Sequence, residues 1–305
     1  MKEENGEELI NLNEQGEKDP QKNEEKQDNK DKNKFINKKI LFLLFSLLLI
    51  LIMIIFAFLK IKDNKVKQKQ LVIFDFDKTI SLEDVFEEQR FLLPSKEEQE
   101  DLMERLNYEN WTLLMSSFYE RFYELNITIS DINKFIDTVE YNKGMIELIQ
   151  YLSKYKDKYS LVIISAGHSY QVNRMLERVN LTDYFDEIIA IPSYIENGKI
   201  IVTQGNIYNC DICNVGQCKT FEYNLLIDKY KKNKNIIFNK TYYICDGLND
   251  FCLARNLKEN DLLLVRKGFT LYKGLFEKGM IKNVTCKIDT WNDGFDIIKN
   301  FKEEG

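Results

Sequence analysis

The sequence predicts an α/β protein: a parallel sheet with a small helical cap after its first strand, preceded by a charged tail and one transmembrane helix. Three observations carry that expectation. The runs LVIF (71–74), LVIIS (161–165), TYYIC (241–245) and DLLLV (261–265) are short and predominantly apolar. None alternates polar with apolar positions as a half-exposed strand would, so each suits a strand covered on both faces. Helical stretches separate them, and strands alternating with helices build a parallel, Rossmann-like sheet. More helices lie between the first and second runs than one crossover needs, so residues 82–142 read as the cap.

Residues 1–39 are rich in Glu, Asn, Gln and Lys, acidic at first and basic from Lys22 onward. A chain so poor in apolar side chains cannot offset its ordering entropy, which predicts a disordered tail. Residues 40–59, ILFLLFSLLLILIMIIFAFL, carry no charge. A helix of that length spans about 30 Å, the hydrocarbon thickness of a bilayer. It is too long for the apolar part of a signal peptide, and a core helix is rarely apolar on every face. A single-pass membrane anchor follows.

Five lysines precede the span (Lys30, Lys32, Lys34, Lys38, Lys39) and five follow it (Lys60, Lys62, Lys65, Lys67, Lys69). The positive-inside rule needs an asymmetry, so orientation stays open. Sequons at Asn110, Asn126, Asn180, Asn239 and Asn283 favour a luminal or extracellular position for the part after the span, but an Asn-rich chain also produces them by chance. The side of the membrane and the organelle stay open.

Residues 60–69 read as a linker and 70–305 as the globular part, for which 44% hydrophobic and 12% aromatic residues supply a core. The net charge is −6, and no basic patch interleaved with aromatics appears, so nucleic acid is not an expected partner. Within the cap, Ser95 and Glu98 have capping-box spacing. Asn110 and Ser130 head amphipathic runs as N-caps, and a further helix follows Gly144. Asn197-Gly198 is a strong hairpin signal.

The chemistry gathers where the strands end. Asp75 and Asp77 close the first run, Ser165 the second, and Asp246 and Asp250 follow the third in CDGLND. In open parallel sheets, ligands bind outside the carboxyl ends of the strands. Carboxylates two residues apart on a strand share one side and repel unless a cation sits between them. A polar turn would not need acids from two strands.

DFDKT, Ser165, Lys219 and DGLND, in that order, resemble the four motifs of the haloacid dehalogenase superfamily. The blocks CDICNVGQCK (210–219), YICDGLNDFC (243–252) and RKGFTLYK (266–273), with NWTLLM and NKGM, are similar to the phosphoethanolamine/phosphocholine and pyridoxal-phosphate phosphatases. The resemblance covers residues 71–274. It implies a Mg²⁺-dependent phosphomonoesterase acting on a small phosphorylated substrate. It also implies roles: Asp75 as nucleophile and ligand, Asp246 as ligand, and Asp77 as ligand through its carbonyl and as general acid/base through its carboxyl. Thr79, Ser165 and Lys219 are implied in holding or orienting the phosphoryl group, with Gly247, Asn249 and Asp250 in support.

Two departures leave the headgroup open: acids the family associates with an amine-bearing substrate stand here as Phe86 and Ala166, with Glu83, Asp84 and Glu87 as stand-ins. A phosphoserine phosphatase or phosphotransferase therefore competes, and a non-catalytic, membrane-tethered scaffold is the third reading. Cys210, Cys213 and Cys218 have the gap of a zinc site but number three, so zinc, disulfides and neither stay open. Cys245, Cys252 and Cys286 read as small buried residues. His168, the only histidine, sits at the rim where it could touch substrate.

Overall fold

The computed structural model describes residues 37–56, 66–105, 110–205, 210, 213 and 217–303. The expected tail up to residue 36, the last part of the expected span (57–59) and most of the linker (60–65) lie outside them. Two units are distinguished, Met1–Lys65 and Val66–Gly305.

In the first unit, helix α1 (Asn37–Phe56) is long and apolar enough to cross a membrane. Its side chains are exposed except for Ser46, whose hydroxyl donates to the Phe42 carbonyl at 2.9 Å. That bond satisfies the one hydroxyl of the helix internally.

In the second unit, six parallel strands run in the order β3-β2-β1-β6-β7-β8. They are β1 (Lys67–Phe74), β2 (Tyr159–His168), β3 (Glu187–Ile191), β6 (Ile236–Cys245), β7 (Leu262–Arg266) and β8 (Lys287–Trp291). The unbroken apolar runs have the predicted cause. Along β1, Leu71 and Ile73 enter one core while Val72 and Phe74 enter the other, and all four are fully buried. Helices α6 (Met145–Ser153), α7 (Ser169–Arg178) and α11 (Gly294–Glu303) cover one face. Helices α8 (Lys219–Asn233), α9 (Phe251–Ala254) and α10 (Thr270–Phe276) cover the other. The chain runs from β1 outward to β3, then returns to the other side of β1 for β6, so the order reverses between β1 and β6.

Between β1 and α6 lie α2 (Val85–Glu88), α3 (Lys96–Arg105), α4 (Trp111–Glu124) and α5 (Ile129–Ile136). Asn110 caps α4 as expected, accepting from the Thr112 and Leu113 amides at 3.1 and 3.2 Å. Helix α5 starts earlier than Ser130 suggests. Its N-cap is Thr128, which forms a reciprocal capping box with Asp131 and so satisfies two amides that Ser130 could not. The hairpin β4 (Ser193–Glu196) and β5 (Lys199–Val202) turns at Asn197-Gly198, both with positive φ, and Ser116 of α4 donates to its Val202 carbonyl.

A buried polar chain joins these helices to the sheet. The Tyr119 hydroxyl donates to Gln89 Oε1 at 2.9 Å and lies 2.6 Å from His168 Nε2, while His168 Nδ1 lies 3.1 Å from Ser193 Oγ. Because Tyr119 gives its proton to Gln89, the network assigns Nε2–H to His168 and leaves Nδ1 as acceptor. His168 therefore does not reach the rim as expected. It is fully buried, and burial pushes its pKa down to about 3.

The unfolded chain takes up a proton at this histidine below about pH 6.5, and the folded chain does not, so stability falls as the solution is acidified toward pH 3. Between about pH 7 and 5 this group costs about 2 kcal/mol. His168→Gln should lack that increment in urea unfolding at the two pH values. Identical pH slopes in both proteins would remove His168 from the account.

Candidate active site

Asp75 follows directly on β1, and its amide donates to the Ile244 carbonyl of the neighbouring β6 at 2.9 Å. Asp246 follows directly on β6. The two carboxylates thus stand side by side where the strand order reverses, the place an open α/β sheet offers a ligand. The chain after Asp75 folds into a tight turn in which the amides of Thr79, Ile80 and Ser81 all point at the Phe76 carbonyl. Lys78 takes a left-handed backbone there, φ 57°. A side chain in that region needs outside support. The Asn142 amide supplies it, donating to the carbonyls of Lys78, Thr79 and Ser81 at 3.1, 2.8 and 2.9 Å, and Arg266 also donates to Lys78.

Beneath the turn, Lys219 opens α8 and is 1% exposed. Its ammonium donates to Asp75 Oδ1 and Asp250 Oδ1, each at 2.5 Å. Asp250 is engaged through both oxygens, with Tyr243 on Oδ1 and the Gly247 amide on Oδ2 at 2.9 Å. Thr79 donates to Asp246 Oδ1 at 3.3 Å. Burial alone would lower the Lys219 pKa, but Asp250 and Asp75 outweigh it and hold the amine well above the ordinary lysine range. Burial and Asp250 push the Asp75 carboxyl up to about 6 despite Lys219. Burial, with Asp75 and Asp250 beside it, holds Asp246 well above the usual carboxylate range.

Asp77 stands apart from this cluster. Its Oδ1 accepts the Val85 amide at 2.9 Å, and burial with Asp84 nearby raises its pKa well above the usual value. A carboxyl so placed favours its protonated form more than an ordinary aspartate does.

A cleft of about 610 Å³ opens over these groups. Asp75, Asp77 and Asp246 lie in its floor with Gly247 and Asn249, while Asp84, Glu87, Trp111, Phe269 and Lys273 stand around it. Thr79, Ser165, Lys219 and Asp250 are not in its lining. They are buried below, where Ser165 accepts the Gly167 amide at 2.9 Å. Asp84 and Glu87 face the cleft as expected of stand-ins. Phe86 does not: it is fully buried, packing edge-on against Trp111 at 5.1 Å, and Trp111 donates through its indole to the Ala166 carbonyl at 2.8 Å. Asn142, Arg266, Tyr243 and Trp111 had no reading as site residues in the sequence.

Residues 70–304 match the family described as Putative Phosphatase. The chain belongs to the Putative Phosphatase family. It is 27% identical over 236 residues to the pyridoxal phosphate phosphatase PHOSPHO2 of Mus musculus, covering 77% of this chain and 98% of that protein. To the phosphoethanolamine/phosphocholine phosphatase of Gallus gallus it is 21% identical over 241 residues, 77% of this chain and 88% of that one. A solved phosphoserine phosphatase carrying an analogue of its phospho-aspartyl intermediate superimposes with a TM-score of 0.50 at 20% identity, over 77% of this chain and 99% of that one. The chain thus shares the fold of that phosphoserine phosphatase.

In this member of the Putative Phosphatase family, Asp75, Asp246 and Asp250 bring carboxylate oxygens within 4.8 Å of one another, all buried. One buried ammonium faces these three acids and leaves an excess of two negative charges. Oxygen donors and that charge fit a hard divalent cation. Because Lys219, Tyr243 and Gly247 already occupy Asp250, Asp75 and Asp246 are the carboxylates suited to hold it.

Gly167 tests the position of Asp77. A Cβ there would lie 2.7 Å from Asp77 Oδ2 and 2.8 Å from Gln171 Nε2, both too close to persist, so Gly167→Ala must displace both side-chain ends. Phosphatase kcat should fall about 10- to 100-fold, the cost of roughly an ångström of misplacement. An unchanged kcat in the folded variant would rule out a reaction that depends on the Asp77 carboxyl.

Proposed function

We propose that the protein is a membrane-anchored, Mg²⁺-dependent phosphomonoesterase working through an aspartyl-phosphate on Asp75. The observation that carries this is the pairing of Asp75, in the floor of an open cleft beside Asp77 and Asp246, with Lys219 buried beneath it. When bound by Asp75, Asp246 and the Asp77 carbonyl, Mg²⁺ supplies the positive charge that lets a carboxylate approach a phosphate dianion.

The protein's own groups do the rest. Lys219 neutralises Asp75 until substrate arrives, and Asp250, Tyr243 and Gly247 hold the lysine in place. One Asp75 oxygen attacks phosphorus as the ester P–O bond breaks, and Asp77 passes its proton to the leaving oxygen. Asp77, now ionised, takes a proton from water. That water attacks the acyl phosphate, inorganic phosphate leaves, and Asp75 is regenerated. In this reading Ser165 and Lys219 bind the phosphoryl oxygens on which charge gathers.

The preferred substrate is a small phosphomonoester with a cationic or aromatic headgroup. Trp111 offers a ring face for either, and Asp84 offers a carboxylate for a cation. Both headgroup types occur in the names of the relatives. Lys273 at the same cleft favours a second reading, a headgroup bearing its own carboxylate such as phosphoserine.

The test is phosphate release from phosphocholine, phosphoethanolamine, pyridoxal phosphate and phosphoserine, with and without Mg²⁺. Release should require Mg²⁺ and vanish in Asp75→Asn while the fold is kept. Turnover by Asp75→Asn would end the nucleophile assignment, and no release from any of the four would end the substrate class.

Asp84 adds a pH dependence. Burial and neighbouring Glu87 push its carboxyl up to about 7, so it is neutral in acid and charged in base. The KM for phosphocholine should therefore fall as pH rises from about 6 to 8. Asp84→Asn, which keeps the cap on the Glu87 amide, should lose that part of the profile. Superimposable profiles would remove Asp84 from headgroup recognition.

A further inference from the structure

Cys252 is buried, as its sequence suggests, but it is not isolated from the other cysteines. The fold carries it to Cys210, Cys213 and Cys218, and the four Sγ atoms lie within 4.8 Å of one another. Among the described residues no disulfide forms. Zinc tetrathiolates have Zn–S bonds of about 2.3 Å, which places neighbouring sulfurs about 3.8 Å apart. A closure of about 1 Å would bring this cluster to that geometry.

We propose that Cys210, Cys213, Cys218 and Cys252 bind one structural Zn²⁺. Four sulfurs that a small closure brings to tetrahedral spacing select zinc over the hard cation suited to the carboxylates. The donors come from separate places, as closed structural sites have them. Cys210 and Cys213 supply a two-residue gap on the chain before α8, Cys218 is the N-cap of α8, and Cys252 lies in α9. Cys218 and Cys252 are buried, while Cys210 and Cys213 are partly exposed and give the ion a way in. The negative charge of a tetrathiolate is well placed at the N-terminus of α8, a helix of 15 residues.

The placement gives the ion a mechanical task. Cys218 directly precedes Lys219, and Cys252 follows Asp250 by two residues. One zinc would bind together the two backbones whose side chains meet in the 2.5 Å Lys219–Asp250 pair. The zinc is thus a positioning device beneath the site, separate from the carboxylates that face the cleft.

The test is metal analysis of the full chain, purified in detergent without chelators. The expected result is one zinc per chain, lost in Cys252→Ser and in Cys210→Ser but retained in Cys286→Ser, whose sulfur lies outside the cluster. Exchange with Co²⁺ should give the intense visible bands of a tetrahedral tetrathiolate, a readout on the unaltered protein that no failure of a variant to fold can obscure. A zinc-free chain whose sulfurs react as thiols and take up no zinc or cobalt overturns the proposal. So does iron in place of zinc, a disulfide within the cluster, or full zinc occupancy in Cys252→Ser.

Discussion

Charge balance beneath the cleft is the constraint on which the rest of the molecule depends. Carboxylates carried by β1 and by the chain after β6 converge in a space from which water is excluded, and ionised acids are costly there without a partner. Lys219 is the partner the chain provides. It stands at the start of α8 and reaches both Asp75, after β1, and Asp250, in the turn after β6. The shortfall that remains, with Asp75 raised to about 6 and Asp246 held well above the usual carboxylate range, keeps the site receptive to a cation.

The sheet makes such crowding tolerable by making it rigid. β1 has a core on each face and a parallel neighbour on each edge, so the backbone that presents Asp75 cannot shift without disturbing both cores. Asn142 extends this rigidity past the end of the strand. Its amide spans three carbonyls of a turn that contains a left-handed Lys78, and a backbone held that way needs no water to complete it.

Legibility in the sequence followed the range of the interactions. LVIFDFDKT reads directly because burial on both faces leaves an unbroken apolar run, and the acids end it. Asn197-Gly198 reads because a tight hairpin is decided by two residues. The edge strands Glu187–Ile191 and Lys287–Trp291 gave no comparable signal, since an edge is partly exposed and mixes polar with apolar positions. Thr128 displaced Ser130 as a cap through a bond to Asp131 that competes over two residues. Asn142, Arg266 and Cys252 act across long stretches of chain, on partners that only the folded backbone brings near. The burial of His168 was equally hidden, because it depends on Tyr119 from another element.

Trp111 joins two properties that enzymes usually keep separate. Its indole is a wall of the cleft and also, through the Ala166 carbonyl, the tie between α4 and the end of β2. Phe86 stands behind the ring, so the indole has little freedom to turn aside. A headgroup that presses on this wall therefore presses on the seam between α4 and the sheet.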